Sequence, residues 1–480
     1  TYMVWLHHEE ERGNIRFDGN LDIRTFLECT RRAGLEVCLR IGPWVHGECR
    51  HSGLPDWVLE TGCRVRSNDP VYLEATKLWY EAIARETRGF YFPEGGNIIA
   101  VQLENELTNN AEHLATLKKM AVEAGIIAPL YTVTGWNSKY GARIPVDEVV
   151  PVFGAYPDAP WAKGTAPLKL SRHYAFYTMR NDSAIGSDVI GGDDDGWQLP
   201  YGRYPFVTCE IGPGMMSTHH RRVLISGLDA YALSLVKLGA GNNLVGYYMY
   251  HGGTNPTGKT AMNETKATGS PNDYPVLNYD FDTCLSQYGE VREQYRYLNL
   301  LHLFIEDFGE KLAPMQSVAA ERFVAEDDAT GLRYCMRTDG KSGFIFVNNY
   351  QRHLKLDAKP KVELVTTVSF PEISVLPDAS FILPFNLETE AGLLEFATAQ
   401  LICKDENNYI FLEIPGIEPR FKFKDGEEFV LKTGTKTLEN LKLIVLSLEE
   451  ALYLRRLNGK LYLGDGVDLY LEDGEVKAVE

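Results

Sequence analysis

The sequence has no run of eighteen apolar residues, so no segment reads as a bilayer-spanning helix. Positive charge is scarce: 48 Lys and Arg stand against 66 Asp and Glu, a net charge of −18. That balance argues against nucleic acid or an anionic membrane surface as partner, because both are bound through basic surfaces. A neutral ligand fits better. The eight cysteines never form a Cys-x-x-Cys pair, which removes a zinc ribbon and a dense disulfide framework and leaves free thiols in a reducing compartment. The compartment reading is therefore cytoplasmic, with secretion left open. No Gly-x-Gly-x-x-Gly turn follows any apolar run, so the dinucleotide-binding fingerprint is missing. An initiator Met is lacking too. The sequence opens inside the strand-like TYMVW, and the expectation is that the natural amino terminus, with any leader, lies outside it.

What is present is an alternation of short apolar runs with helix-period segments over the first two thirds of 480 residues, the signature of parallel βα units. Strands are expected at 1–5, 36–41, 98–101, 130–134, 149–153, 206–210 and 244–249. Helices are expected at 21–32, where Gly34 supplies the stop, and at 72–88, 111–124, 168–179, 228–238 and 292–308. Seven strands are one short of a closed (β/α)₈ barrel. The expected fold is α/β, a TIM barrel over residues 1–312 that lacks its first βα unit, with an open doubly wound sheet as the alternative. From residue 313 to 480 the pattern turns to short alternating runs such as GFIFVNN and VDLYLEDG between Gly, Asp and Asn turns. That is a β-rich accessory domain, with helix expected only within 438–457.

IIAVQLENE, residues 98–106, is an apolar run that ends abruptly in polar residues and carboxylates. A buried parallel strand puts such residues at its carboxyl end, the active face of a barrel. RYPFVTCE does the same with Glu210. Two facing carboxylates, Glu106 and Glu210, are the minimum for glycoside hydrolysis: one protonates the leaving oxygen, and the other attacks the anomeric carbon or activates water. The competing reading is that strand-end acids are merely solvated. Other clusters are less specific. HGECRH holds His46, Glu48, Cys49 and His51, ligand types for zinc or iron, but its spacing matches no metal signature and suits a polar active-site loop better. His7 with His8 and His219 with His220 read as exposed or satisfied pairs, and the acidic Asp193 to Asp195 loop as solvated rather than calcium-binding. YMYHGGTNP and NYDFD combine aromatics, polar groups and close-approach glycines in the manner of a monosaccharide pocket.

Taken together and in order, TYMVWLHHE, LRIGPWVHGECRHSGLPDWVL, IIAVQLENE, TCEIGPG, YMYHGGTN and NYDFD resemble the glycoside hydrolase family 35 β-galactosidases, over Thr1 to about Leu312. The resemblance implies a retaining exo-acting hydrolase on a (β/α)₈ barrel, needing no metal or cofactor, that removes terminal β-linked galactose from an oligosaccharide or glycoconjugate. In some branches the sugar is a β-glucosaminide. Residue by residue, it implies Glu106 as general acid/base, Glu210 as nucleophile and Asn105 as the contact to the sugar 2-hydroxyl. Tyr2, Gly47, Glu48 and Tyr248 match positions that hold sugar hydroxyls, and Tyr279 an aromatic near the nucleophile. Glu104 is a neighbour on the same strand face rather than the proton donor.

The implied mechanism needs Glu210 ionised and Glu106 protonated, with the carboxyl groups about 5 to 5.5 Å apart and the neighbouring anion raising the pKa of Glu106. Departures from the common family pattern fall at Met215, where a Trp is frequent, at Phe281, often Tyr, and at Cys49 and Arg50, often Trp and an acid. They leave the sugar open. A non-catalytic sugar-binding barrel is the reading from another class, and a homo-oligomer is compatible with either.

Overall fold

The computed structural model describes residues 1–107, 109–133, 143–162, 164–177, 180 and 199–479. The last residue of the strand expected at 130–134, the end of the helix expected at 168–179 and the Asp193 to Asp195 loop fall outside them.

Five strands form one parallel sheet in chain order: β1 Val37–Arg40, β2 Ile98–Gln102, β3 Leu130–Val133, β4 Val150–Ala155 and β5 Thr208–Ile211. Every neighbouring pair is parallel, so all five carboxyl ends lie on one rim. The outer two expected strands join this half-barrel through isolated parallel bridges. Tyr2 pairs with Arg40 on one edge, while Leu244 and Tyr247 pair with Val207 and Ile211 on the other. The expected first strand is cut short because Trp5–His8 already turns helical.

The helices start and stop for local reasons. In α1, Ile23–Arg32, the Asp22 carboxylate accepts from the Thr25 amide. Helix α2, Pro70–Thr87, begins with Asp69 as cap and Pro at the first turn. Helix α3, Ala111–Ala124, ends on left-handed Gly125. Helix α4, Gly227–Gly239, carries a Ser226/Asp229 capping box, and α5 spans Glu293–Leu312. Sheet and helices bury a core that includes Trp5, Leu39, Trp79, Ile98, Val101, Leu117 and Phe153. Among the described residues, no helix is long and apolar enough to cross a membrane.

The helix expected at 168–179 does not form in its described part, where only a single 3₁₀ turn, Arg172–Tyr174, is present. Four consecutive residues, His173, Tyr174, Ala175 and Phe176, are all buried. A surface helix cannot bury four in a row on one face, so tertiary burial overrides the periodic pattern.

Beyond α5 the chain is β-rich. Strands β6 Gln316–Ala319, β7 Tyr334–Thr338, β8 Gly343–Asn348, β9 Ser380–Thr389, β10 Gly392–Ala397, β13 Arg420–Phe423 and β14 Phe429–Val430 form one sheet in that spatial order. A four-stranded sheet follows the order β11 Gln400–Asp405, β12 Asn408–Leu412, β16 Leu441–Leu446 and β15 Gly434–Leu438. Helix within 438–457 is limited to the turn Leu448–Ala451. Leu441, Leu443 and Val445 are buried at a period of two, which suits a strand lying between β12 and β15. One apolar cluster runs across residue 312, uniting Tyr231 and Leu235 of α4, Phe304 and Phe308 of α5, and Phe344, Phe346, Phe411 and Phe421 of the sheets.

Candidate active site

The rim at the carboxyl ends of β1, β2 and β5 holds most of the candidate residues. After β1 the chain turns sharply. His46 and Glu48 both adopt left-handed backbone, with φ of 51° and 49°. Glu104 and Glu106 do the same after β2, each at φ 55°. Such conformations cost a non-glycine residue about 1 to 2 kcal/mol each and persist where the surroundings dictate them. Here the dictation is visible: the Glu48 carbonyl accepts from the Glu264 amide, and the Glu106 amide donates to the Val133 carbonyl. Gly47, at φ 60°, lies against Tyr279, whose Oη sits 3.9 Å from where a Cβ would be.

Glu210 is 4% exposed and engages both its oxygens. Arg40 Nη2 lies 3.2 Å from Oε1, and the Tyr156 hydroxyl donates to Oε2 at 2.9 Å. The same Arg40 nitrogen donates to Asn105 Oδ1 at 2.5 Å, which Gln102 Nε2 also reaches, at 2.9 Å. Asn105 Nδ2 then faces Glu106 Oε1 at 3.3 Å and His46 Nδ1 at 3.0 Å. Glu106 and Glu210 are therefore ends of one relay that passes through Asn105 and Arg40. Glu104 is placed differently. It is fully buried, clamped by Arg66 with Nη2 at 2.7 Å and Nε at 3.3 Å, and burial raises its pKa against the pull of that guanidinium. It orders the turn by accepting from the Asn105 amide at 3.0 Å.

An aromatic wall closes the other side. The Arg40 guanidinium lies 4.0 Å over the Tyr2 ring, and Tyr2 meets Tyr248 edge-on. The Tyr279 hydroxyl donates to Glu48 Oε2 and accepts from the Tyr248 hydroxyl, which itself lies 3.4 Å from that carboxylate oxygen. Burial raises both phenols well above their usual range, so they stay protonated. Burial likewise pushes the Glu48 carboxyl up to about 7. All eight candidate site residues, Tyr2, Gly47, Glu48, Asn105, Glu106, Glu210, Tyr248 and Tyr279, thus fall within this connected rim.

All four departures from the family pattern are buried. Met215 is 1% exposed and packs with Val133, Tyr156, Val223 and Ile225, so it belongs to the core behind Glu210. Phe281 is buried edge-on against both Tyr248 and Tyr279. HGECRH disperses its polar groups: His46 faces Asn105, Glu48 faces the tyrosines, and Arg50 and His51 both face Asp56. Among the described residues no group of three or more His, Cys, Asp or Glu could hold a metal ion.

Arg40, Gln102, Tyr156 and Arg66 are not among the residues expected from the sequence, and His46 is expected only as part of the polar HGECRH loop. Arg40, Gln102 and Tyr156 share the signal that marks Glu106, a polar side chain at or just after the end of a buried strand, whereas Arg66, in the turn before α2, has no such signal.

A family model described as Glycosyl hydrolases family 35 matches residues 1–305. Over 301 residues the chain is 28% identical to a beta-galactosidase of Canis lupus familiaris, covering 62% of this chain and 40% of that protein. It is 29% identical to a beta-galactosidase of Bos taurus, covering 62% and 41%. Beta-galactosidase 17 of Arabidopsis thaliana is 27% identical, with 61% and 39% covered. The chain spans about two fifths of the length of the curated relatives it matches.

Proposed function

The chain belongs to glycosyl hydrolase family 35, a glycoside hydrolase on a barrel-type scaffold, and from that premise we propose that it removes terminal β-linked galactose with retention of configuration. One observation carries the reading: Arg40 Nη2 touches both Asn105 and Glu210, and Asn105 touches Glu106, so the carboxyls of two facing strand ends share one hydrogen-bonded relay. Glu106 donates a proton to the glycosidic oxygen while Glu210 attacks the anomeric carbon. The glycosyl–Glu210 ester is then cleaved by water, with Glu106 now acting as base. The Arg40 guanidinium compensates the buried Glu210 charge, and the Tyr156 hydroxyl holds its second oxygen. Asn105 takes the sugar 2-hydroxyl, and Tyr2, Gly47, Glu48, Tyr248 and Tyr279 line the sugar side. Barrel and accessory domain divide at residue 312.

Hydrolysis of nitrophenyl β-galactoside tests the reading. Glu210→Gly loses turnover by about 10⁴-fold or more, and added azide restores some of it as the α-galactosyl azide. Turnover at the wild-type rate in Glu210→Gly sinks it. The same assay with β-glucosaminide and β-glucoside ranks the sugars.

We infer further that an eighth parallel strand belongs between the Tyr2 edge and residues 244–249. A cavity of 510 Å³ opens there, lined by Tyr2, Cys38, Arg40, Tyr131, Cys209 and Tyr248, and Arg40 Nε is buried beside it with no acceptor among the described residues. Cys38 and Cys209 react with a maleimide in this chain and are shielded in a longer chain that carries the strand. Equal reactivity in both chains removes the inference.

A further inference from the structure

We propose that His46 is the positioning residue of the acid/base end of the relay: its Nδ1 takes one proton of the Asn105 amide and leaves the other for the sugar 2-hydroxyl. The inference rests on the reading above of Asn105 and Glu106.

The argument starts from which atoms can donate. A guanidinium has no acceptor, so the Asn105 atom that meets Arg40 Nη2 at 2.5 Å is the carbonyl oxygen. The Gln102 amide nitrogen meets that same oxygen at 2.9 Å. The amide plane of Asn105 is thereby set, and its Nδ2 is the atom that meets His46 Nδ1 at 3.0 Å. An amide nitrogen can only donate, so His46 Nδ1 carries a lone pair and the ring proton sits on Nε2. Burial, with the Arg66 and Arg40 guanidiniums nearby, lowers the imidazole pKa to about 3, which keeps this tautomer neutral over the working range.

The ring cannot easily leave this place. Its residue holds a left-handed backbone at φ 51°, and its edge meets the Trp44 face at 5.4 Å in a T-shaped contact. Trp44 in turn lies under the Arg66 guanidinium, 4.6 Å from its ring centre, and Arg66 clamps Glu104 and the Asn105 carbonyl. The tips of β1 and β2 are thus joined twice, once through Arg66 and once through His46.

Asn105 Nδ2 carries two N–H donors. One goes to His46, and the other points toward Glu106 Oε1 at 3.3 Å, a long contact that a sugar oxygen can replace. A positively charged ring at His46 would lose the Asn105 bond and set a cation 3.7 Å from Glu106 Oε2, favouring the ionised acid and weakening it as a proton donor. A neutral acceptor at this point keeps Asn105 oriented and leaves the acid its proton.

The test uses three variants and two substrates. In His46→Asn the Oδ1 oxygen takes the place of Nδ1 as acceptor, whereas His46→Gln and His46→Ala lose it. With nitrophenyl β-galactoside, His46→Ala and His46→Gln lower kcat by about tenfold or more, the cost of one oriented hydrogen bond at the transition state, and His46→Asn restores most of it. With nitrophenyl 2-deoxy-β-galactoside, which has no 2-hydroxyl for Asn105 to hold, all four proteins turn over within about twofold of one another. Equal losses on both substrates, or failure of His46→Asn to recover, make His46 a packing residue and overturn the inference. No loss in His46→Ala overturns it as well. Should the wild type be active and Glu210→Gly remain dead while His46→Ala is unaffected, the inference fails and the two-carboxylate reading stands. Turnover in Glu210→Gly removes both.

Discussion

Arg40 and Arg337 are both buried arginines, and they spend their charge in opposite ways. Arg337, on β7 of the accessory region, is 1% exposed and donates mainly to main-chain carbonyls: Met315 at 3.0 Å, Leu238 at 2.9 Å and Leu312 at 2.8 Å. Two of these are carbonyls near the ends of α4 and α5, where each also accepts one main-chain amide, from Gly241 at Leu238 and from Met315 at Leu312. Arg337 thus finishes two barrel helices from the neighbouring sheet and is used up in doing so. Arg40 donates to side chains, Asn105 and Glu210, that themselves face a cleft. Burial pulls downward on the pKa of both guanidiniums. For Arg337, nearby Cys335 does not reverse the direction, while at Arg40 the Tyr2 and Glu210 oxygens raise the pKa well above its usual value. The lesson is that burial alone does not mark a functional charge. Partners that a substrate could also engage do.

That contrast separates turnover from stability, and it holds the largest expected effect. Arg40→Gln lowers kcat per folded molecule on a nitrophenyl β-galactoside by about 10² to 10³, the scale for losing one preorganised donor at a reacting charge, and it also lowers the melting temperature because the buried Glu210 charge loses its compensating partner. Arg337→Leu leaves kcat per folded molecule unchanged but destabilises by about 3 kcal/mol, because several buried hydrogen bonds from one guanidinium are lost together. Calorimetry beside active-site titration reads both. If Arg40→Gln melted early with full specific activity, or Arg337→Leu lost turnover at unchanged melting temperature, the distinction would collapse.

The same contrast explains what could be read in advance. A parallel strand buried on both faces announces itself as an apolar run, and its polar end announces the active rim, so Glu106 and Glu210 stood out from IIAVQLENE and VTCE. Arg40 has the same position in VCLR, and Tyr156 in FGAY, yet neither has a residue type that by itself suggests hydrolysis. Their meaning comes from distances between strand ends, which spacing along the chain does not contain. His46 lay inside a loop whose residue types suggested metal, and only the turn geometry sends His46, Glu48 and His51 in different directions. The helix at 168–179 and the helix in 438–457 went astray where tertiary burial decided the backbone. In the first, four adjacent side chains are buried. In the second, a period of two at Leu441, Leu443 and Val445 was hidden by strong helix formers nearby. Met215 raised the question of a lost sugar wall, but its side chain packs behind Tyr156 and faces no cleft.

Glu48 gives the smallest effect and the finest test of the contrast, because it is a charge whose existence depends on pH. Burial is the main cause of its shift; the Tyr279 hydroxyl opposes it, and the Glu264 and Glu210 carboxylates reinforce it, leaving the group at about 7. Below that pH Glu48 is neutral, and above it an anion. A sugar hydroxyl donates more strongly to an anion than to a neutral carboxyl, so kcat/KM for the free protein rises by about threefold to tenfold as pH passes through 7. Stability moves the other way. The folded group holds its proton up to about 7 while the unfolded group releases it near its model value of 4.5, so the folded state binds the extra proton between these values and loses stability as pH rises across them. Glu48→Gln, which cannot titrate, flattens both profiles. An inflection near pH 7 that survived in Glu48→Gln would belong to another group of the relay, and Glu48 would then join Arg337 as a buried residue that shapes the molecule without answering to the substrate.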